Sequence, residues 1–88
     1  MLYQRAVDLM EAELGDQIVA LDVNGGTCFG FNGVASSVWR ALAEPTSFEA
    51  LRDRLLGEYE VSADQCTEEL RELLADLTGK GLVRASAG

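Results

Sequence analysis

Two cysteines, Cys28 and Cys66, are the most reactive side chains of this sequence, and no histidine accompanies them. A thiol becomes a good nucleophile when a neighbouring base or cation favours its thiolate form, and histidine is the usual base. A tetrahedral zinc site needs four close nitrogen or sulfur donors, which two distant cysteines do not supply. We therefore expect no catalysis, no metal and no other cofactor, and we expect the cysteines to act as small apolar residues.

The charge balance is acidic, because 15 aspartates and glutamates oppose 7 lysines and arginines for a net charge of −8. Phosphate backbones and anionic membrane surfaces both attract basic proteins and repel an acidic chain. The sequence contains neither a signal-peptide pattern nor a run of about 20 apolar residues. We therefore expect a cytoplasmic protein with reduced thiols that binds neither nucleic acid nor membrane.

One long segment, from Val23 to Trp39, carries no charged residue, and the strand predicted at Thr27–Phe31 lies inside it. Strands at a sheet edge expose unpaired N–H and C=O groups, which proteins usually guard with charge or proline. Because this strand has no such guard, it is a candidate for pairing with an added strand from another polypeptide. A helix or the C-terminal segment covering this edge, and a homodimer paired through it, are the alternatives.

The elements that must position this strand begin with a sheet. Alternating apolar residues predict three strands, at about 7–14, 17–23 and 27–31. Gly15-Asp16 and Asn24-Gly25-Gly26 tolerate the backbone angles of tight turns, so the three strands form an antiparallel meander. In the middle strand, the alternation places Val19, Leu21 and Val23 on one face. In the third strand, Phe29 and Phe31 lie on one side, and Cys28 lies on the opposite side.

The remainder of the chain has helical periodicity. Three N-cap residues, Asn32, Thr46 and Ser62, predict helices over about 33–43, 47–58 and from Ser62 to about Thr78. The predicted fold class is therefore α+β, a three-stranded antiparallel β-meander followed by three α-helices, similar to a winged helix-turn-helix. We expect a single domain over residues 1–84 and a flexible tail over 85–88.

An ordered set of short motifs resembles the PqqD-like family. In the first half the motifs are Leu21-Asp22, Gly25-Gly26, Phe29-Gly30-Phe31-Asn32, Ala35 and Val38-Trp39. In the second half they are Tyr59-Glu60-Val61, the leucines from Leu70 to Leu77, and Gly81-Leu82-Val83. The resemblance extends over about residues 9–83, which is most of the chain.

Members of this family are recognition elements for the precursors of ribosomally synthesised, modified peptides. The resemblance implies that the leader peptide of a precursor binds as an added strand on the third strand, beside the third helix. The details are most similar to the stand-alone leader-binding proteins of lasso-peptide clusters, which deliver the precursor to a separate leader peptidase. The alternative is a relative of the PQQ pathway, which delivers its peptide to a radical-SAM enzyme.

The candidate peptide-binding residues come from this strand and this helix. They are Thr27, Cys28, Phe29, Gly30 and Phe31, together with Glu69, Leu73 and Asp76. A DNA-binding winged helix is a further hypothesis, but it requires one helix to enter the major groove. The third helix is acidic, with Asp64, Glu68, Glu69, Glu72 and Asp76 against Arg71 and Lys80, and phosphates would repel it.

Overall fold

A computed structural model describes residues 1–87 of the chain, and Gly88 lies outside the described residues. The elements in chain order are β1 (Leu2–Arg5), β2 (Met10–Leu14), β3 (Gln17–Asp22), β4 (Thr27–Phe31), α1 (Gly33–Ala41), β5 (Thr46–Ser47), α2 (Phe48–Glu58), α3 (Ala63–Gly79) and β6 (Val83–Ser86). The strands form two antiparallel sheets, with orders β2-β3-β4 and β5-β1-β6. The α+β class and the order of a meander followed by three helices are confirmed.

The predicted turns join the three strands of the meander. Gly15 begins the two-residue connection between β2 and β3 with φ of +68°, a conformation that glycine adopts without strain. In the turn before β4, the Asp22 carboxylate accepts hydrogen bonds from the N–H groups of Asn24 and Gly25, each at 3.1 Å. This turn fixes the register in which Asp22 pairs with Thr27 and Ile18 with Phe31.

The core face of β3 is not the face that carries Val19, Leu21 and Val23. Ile18 and Ala20 are buried, whereas Leu21 and Val23 are 40% and 62% exposed. Both alternating sets of this strand are apolar, so periodicity alone could not choose between them. In the structure, the set that contains Ala20 is the buried one, and helix α1 contacts β3 on this side. The β3 side chains of the other set, Val19 and Leu21, lie on the outer side of the sheet.

Three side-chain caps begin the helices. Asn32 Oδ1 accepts a hydrogen bond from Ala35 N at 2.9 Å, and Ser62 Oγ accepts one from Gln65 N at 3.1 Å, as the sequence predicts. Helix α2 differs, because its cap is Ser47, whose Oγ accepts from Ala50 N at 3.1 Å. Thr46 lies in β5 instead, where its hydroxyl donates to the Ala41 carbonyl at 3.0 Å.

The second sheet was not expected from the sequence. Its central strand β1 pairs with β6 from Leu2 opposite Ser86 to Arg5 opposite Val83, which brings the two ends of the chain together. The predicted flexible tail over 85–88 is therefore wrong for Ala85 and Ser86, because both lie in β6. Backbone pairing with β1 holds them in place.

The hydrophobic core lies between α1, α2, α3 and the inner faces of both sheets. Trp39 is completely buried at its centre, and its ring stacks on Phe31 with 5.3 Å between the ring centroids. Cys66 is buried in the same core, as predicted. Across residues 1–87, no helix combines the length and the apolar character that crossing a membrane would require.

Candidate functional site

Strand β4 forms one edge of the meander. Within residues 1–87 its only strand partner is β3, so one side of its backbone has no neighbouring strand. Its residues are mostly exposed, and only Phe31 is buried. The strand contains no charged residue and no proline, so the structure contains the unguarded edge that the sequence predicted.

Helix α1 fixes the direction of the backbone groups of β4. The buried Ser36 hydroxyl accepts a hydrogen bond from Ile18 N at 2.9 Å and donates one to Phe31 O at 3.1 Å. This bridge shows that the carbonyl of Phe31 points towards β3. Backbone polar groups alternate sides along an antiparallel strand. Cys28 and Gly30 therefore direct their N–H and C=O groups towards the free side.

The opposite edge of the same sheet, β2, has a different character. Its glutamates, Glu11 and Glu13, lie on the side of the strand that faces α1. Glu11 Oε2 accepts a hydrogen bond from Trp39 Nε1 at 3.0 Å, and Glu13 Oε1 accepts one from Arg40 Nη2 at 2.6 Å. Inward-pointing charges of this kind discourage the addition of another strand. Only the β4 edge is therefore both free and uncharged.

A groove of about 460 Å³ lies beside β4, between the strand and the C-terminal half of α3. Its lining consists of Cys28, Phe29, Gly30, Phe31, Asn32, Ala35, Leu73, Asp76, Leu77 and Lys80. Ala35, Phe31 and Leu77 are buried beneath it, and Phe29 and Leu73 are half-buried. The groove thus offers apolar surface directly next to backbone groups that have no strand partner.

One ion pair borders the groove on its helical side. Lys80 Nζ donates to Asp76 Oδ2 at 2.9 Å, and both side chains are about half exposed. Exposed pairs of this kind contribute only about 0–1 kcal/mol to stability. Both partners are therefore free to exchange their bond for one with a ligand at little cost.

Most of the predicted site residues come together in this groove, but two do not. Cys28, Phe29, Gly30, Phe31, Leu73 and Asp76 all line it. Thr27 lies outside, at the turn end of β4, where it pairs with Asp22. Glu69 also lies outside and lines a separate pocket of about 70 Å³ with Val34 and Tyr59. Glu69 is excluded because the groove reaches only the C-terminal half of α3, from Leu73 onwards.

Four lining residues were not among the predicted ones. Leu77 and Lys80 follow Leu73 and Asp76 by four residues each, so helical spacing could have identified them. Asn32 and Ala35 lie where β4 turns into α1, and no periodic signal marks them. The groove is therefore formed by three elements rather than by one strand and one helix.

A larger cavity of about 770 Å³ lies on another side of α3. Its lining includes Tyr3, Phe48, Leu74 and Ala85, from β1, α2, α3 and β6. The two edge strands of the adjoining sheet are β5, with two residues, and β6, which carries Arg84. Because neither is a long uncharged edge, this cavity lacks the backbone component of the β4 groove.

Two comparisons with known proteins give a match. A family model described as coenzyme PQQ synthesis protein D (PqqD) matches residues 17–83. A solved structure described as TbiB1 in complex with the TbiA(beta) leader peptide is 29% identical in sequence, with a TM-score of 0.82. The match covers 97% of this chain and 99% of that one. None of the curated proteins matches the chain in sequence.

Proposed function

The chain belongs to the PqqD family, and from that premise we propose that it binds the leader region of a ribosomally synthesised precursor peptide. The leader would add to β4 as a further strand and lie against α3. The observation that carries this proposal is the free, uncharged edge of β4 beside a groove lined by both apolar and polar side chains. The similar TbiB1 chain was solved with a leader peptide, which supports a peptide as the ligand.

Gly30 supports strand addition because nothing in the chain itself requires glycine there. A Cβ built at this position meets no atom within 4 Å, and its φ is not in the left-handed region. Glycine inside a strand is unfavourable by roughly 0.5–1 kcal/mol relative to alanine. Glycine inside a strand often marks a site that another backbone approaches closely, which agrees with an added strand at this edge.

The groove indicates which leader side chains would be recognised. In an added strand, every second side chain would point towards Phe29, Leu73 and Leu77, so we expect apolar anchors with a two-residue spacing. A polar or charged leader residue could reach Asp76 or Lys80. Backbone pairing with one or two such anchors corresponds to a Kd between about 1 μM and 1 nM.

The role that follows from such binding is delivery rather than catalysis. The bound precursor would be presented to a separate leader peptidase, as in lasso-peptide clusters. Delivery to a radical-SAM enzyme, as in the PQQ pathway, is the alternative destination. A reconstituted reaction with each class of enzyme distinguishes the two, because only the correct enzyme should process the precursor faster when this chain is added.

The binding step is tested by NMR titration of the ¹⁵N-labelled chain with the leader region of its cognate precursor. We expect the amide signals of Cys28 and Gly30 to shift most, because their N–H groups point to the free side of β4. The amides of Glu11 and Glu13, on the opposite edge, serve as the internal control and should remain in place.

A leader peptide of scrambled sequence controls for nonspecific binding. Unshifted amides throughout residues 27–31 at saturation would overturn strand addition as the binding mode. Strong binding of duplex DNA at low salt would instead favour a winged-helix regulator, against the expectation from the acidic α3.

A further inference from the structure

The open edge of β4 extends one residue beyond the strand, to Asn32. This residue is exposed, and its backbone is extended, with φ of −71° and ψ of −179°. Residues 1–87 contain no cis peptide bond, and in a trans peptide the C=O of one residue points opposite to the N–H of the next. Because the Phe31 carbonyl points towards β3, where the Ser36 hydroxyl donates to it, the Asn32 N–H points to the free side.

Helix α1 already uses both oxygens of Asn32. The Asn32 carbonyl accepts the first helical hydrogen bond, from Ser36 N at 2.7 Å, and its Oδ1 accepts one from Ala35 N at 2.9 Å. Within residues 1–87, the Asn32 N–H has no hydrogen-bond acceptor. Asn32 therefore offers a guest strand its N–H group but not its C=O group.

This N–H group continues a regular row along the edge. The N–H groups of Cys28 and Gly30 point to the same side, two and four residues earlier in the chain. Two residues of a strand span about 7 Å, which is also the spacing of the backbone groups that an added strand presents. The row stops after Asn32, because the chain turns into α1 and its next carbonyl belongs to the helix.

The position of Asn32 in the groove means that a guest would cover this N–H. Asn32 is one of the lining residues, together with Gly30 and Phe31. In the free chain, water can accept a hydrogen bond from the exposed N–H. Once a peptide lies over it, the N–H loses that water, and an unpaired N–H away from water opposes binding. A carbonyl of the guest is the group that would replace the lost partner.

We propose that Asn32 binds the leader through its main-chain N–H and marks the end of the added strand. This inference rests on the proposed function and adds to it a third anchoring donor, beyond β4, that takes a leader carbonyl. The roles of the residue are divided, because its side chain caps α1 while its main chain binds the guest. The leader cannot continue the pairing past this point, since the Asn32 carbonyl is held by Ser36 N.

The first experiment compares Asn32→Pro with Asn32→Ala. Both variants lose the side-chain cap of α1, but only proline also removes the N–H group. The φ of −71° suits proline, and the preceding residue, Phe31, is extended as proline requires. A synthetic peptide of the leader region of the cognate precursor is titrated by calorimetry. We expect Asn32→Pro to bind it about fivefold more weakly than Asn32→Ala, the effect of one backbone hydrogen bond.

The second experiment needs no variant, and it decides the matter if thermal unfolding shows that Asn32→Pro is poorly folded. Amide hydrogen exchange of the wild-type chain is followed by NMR with and without the same peptide. We expect exchange at Asn32 to slow by at least about tenfold on binding, as it should at Cys28 and Gly30. The amides of Gly33 and Val34, which follow the proposed end of the added strand, should exchange at unchanged rates.

The outcomes separate the two proposals. Equal affinity of folded Asn32→Pro and Asn32→Ala overturns the inference and leaves leader binding intact. The same conclusion follows if the peptide slows exchange at Cys28 and Gly30 but not at Asn32. Slower exchange that extends to Gly33 and Val34 would overturn Asn32 as the end of the added strand. A wild-type chain that does not bind the peptide overturns the proposed function instead.

Discussion

The two edge strands of the three-stranded sheet come from neighbouring parts of the sequence, yet charged side chains guard one edge and leave the other open. On β2, Glu11 and Glu13 turn inward and bond to Trp39 and Arg40 of α1. On β4, the corresponding inward positions are occupied by Phe29 and Phe31, beside a groove. One edge thus uses charge to stabilise the monomer, and the other leaves its polar backbone groups available.

This difference shows that the residues of each edge strand, and not the fold as a whole, decide whether the edge is open. Glu11 is held by two groups, the Trp39 indole and the Arg5 guanidinium, which approaches the carboxylate at 3.2 Å. Arg5 also lies over the Trp39 ring, 4.4 Å from its centroid. Charged side chains can therefore guard an edge strand within this fold, as Glu11 does on β2. That β4 lacks any such guard is the strongest reason to connect it with binding.

We expect the largest change in leader affinity from Gly30→Pro, which alters the open edge of β4. Proline removes the N–H group that Gly30 directs to the free side, and it requires an extended preceding residue, which Phe29 in β4 already is. Because no bond to β3 is lost, the fold should persist. We expect leader affinity to fall by more than about 100-fold, measured by calorimetry.

The matched control is Glu13→Pro, which removes an outward N–H group from the guarded edge. It also breaks the exposed ion pair with Arg40, so a small loss of stability is expected. Leader affinity should nevertheless stay within about twofold. Equal losses of affinity in the two variants would show that the edges do not differ in function.

The second prediction concerns the role of the guarded edge in stability. Glu11→Ala leaves the indole N–H of the buried Trp39 without its acceptor, which costs about 1–3 kcal/mol of unfolding free energy. Denaturant unfolding followed by tryptophan fluorescence measures this loss. Glu11→Gln retains an acceptor for the indole and should recover part of it. A change in the leader affinity of the folded Glu11→Ala variant would contradict the separation of the two edges.

The features that the sequence predicted correctly all have local signals. Asn32 and Ser62 cap helices because a polar side chain can reach the N–H group three residues ahead. The turns before β3 and β4 contain glycines that adopt positive φ. The uncharged β4 edge was visible because the absence of charge is itself a sequence pattern.

The features that the sequence did not reveal depend on distant partners. The strands β1 and β6 are four residues each and come from opposite ends of the chain, so neither carries enough alternation to be recognised alone. The inner face of β3 could not be identified from the strand alone, because Val19 and Leu21 are as apolar as the buried Ile18. Packing against α1 decided the orientation, and that information is not contained in the strand.

The smallest predicted effect tests how far along α3 the leader-binding site extends. Leu73 lines the groove, whereas Glu69, one turn earlier on the same side of the helix, lines a different pocket. We expect Leu73→Ala to weaken leader binding by about tenfold, since it removes part of one apolar contact. Glu69→Ala should leave the affinity within about twofold, measured by the same calorimetric titration.

If Glu69→Ala weakened binding as much as Leu73→Ala, the leader would continue along the helix beyond the end of β4. The free backbone of β4 would then define only part of the binding site, and the contrast between the two sheet edges would no longer account for recognition by itself.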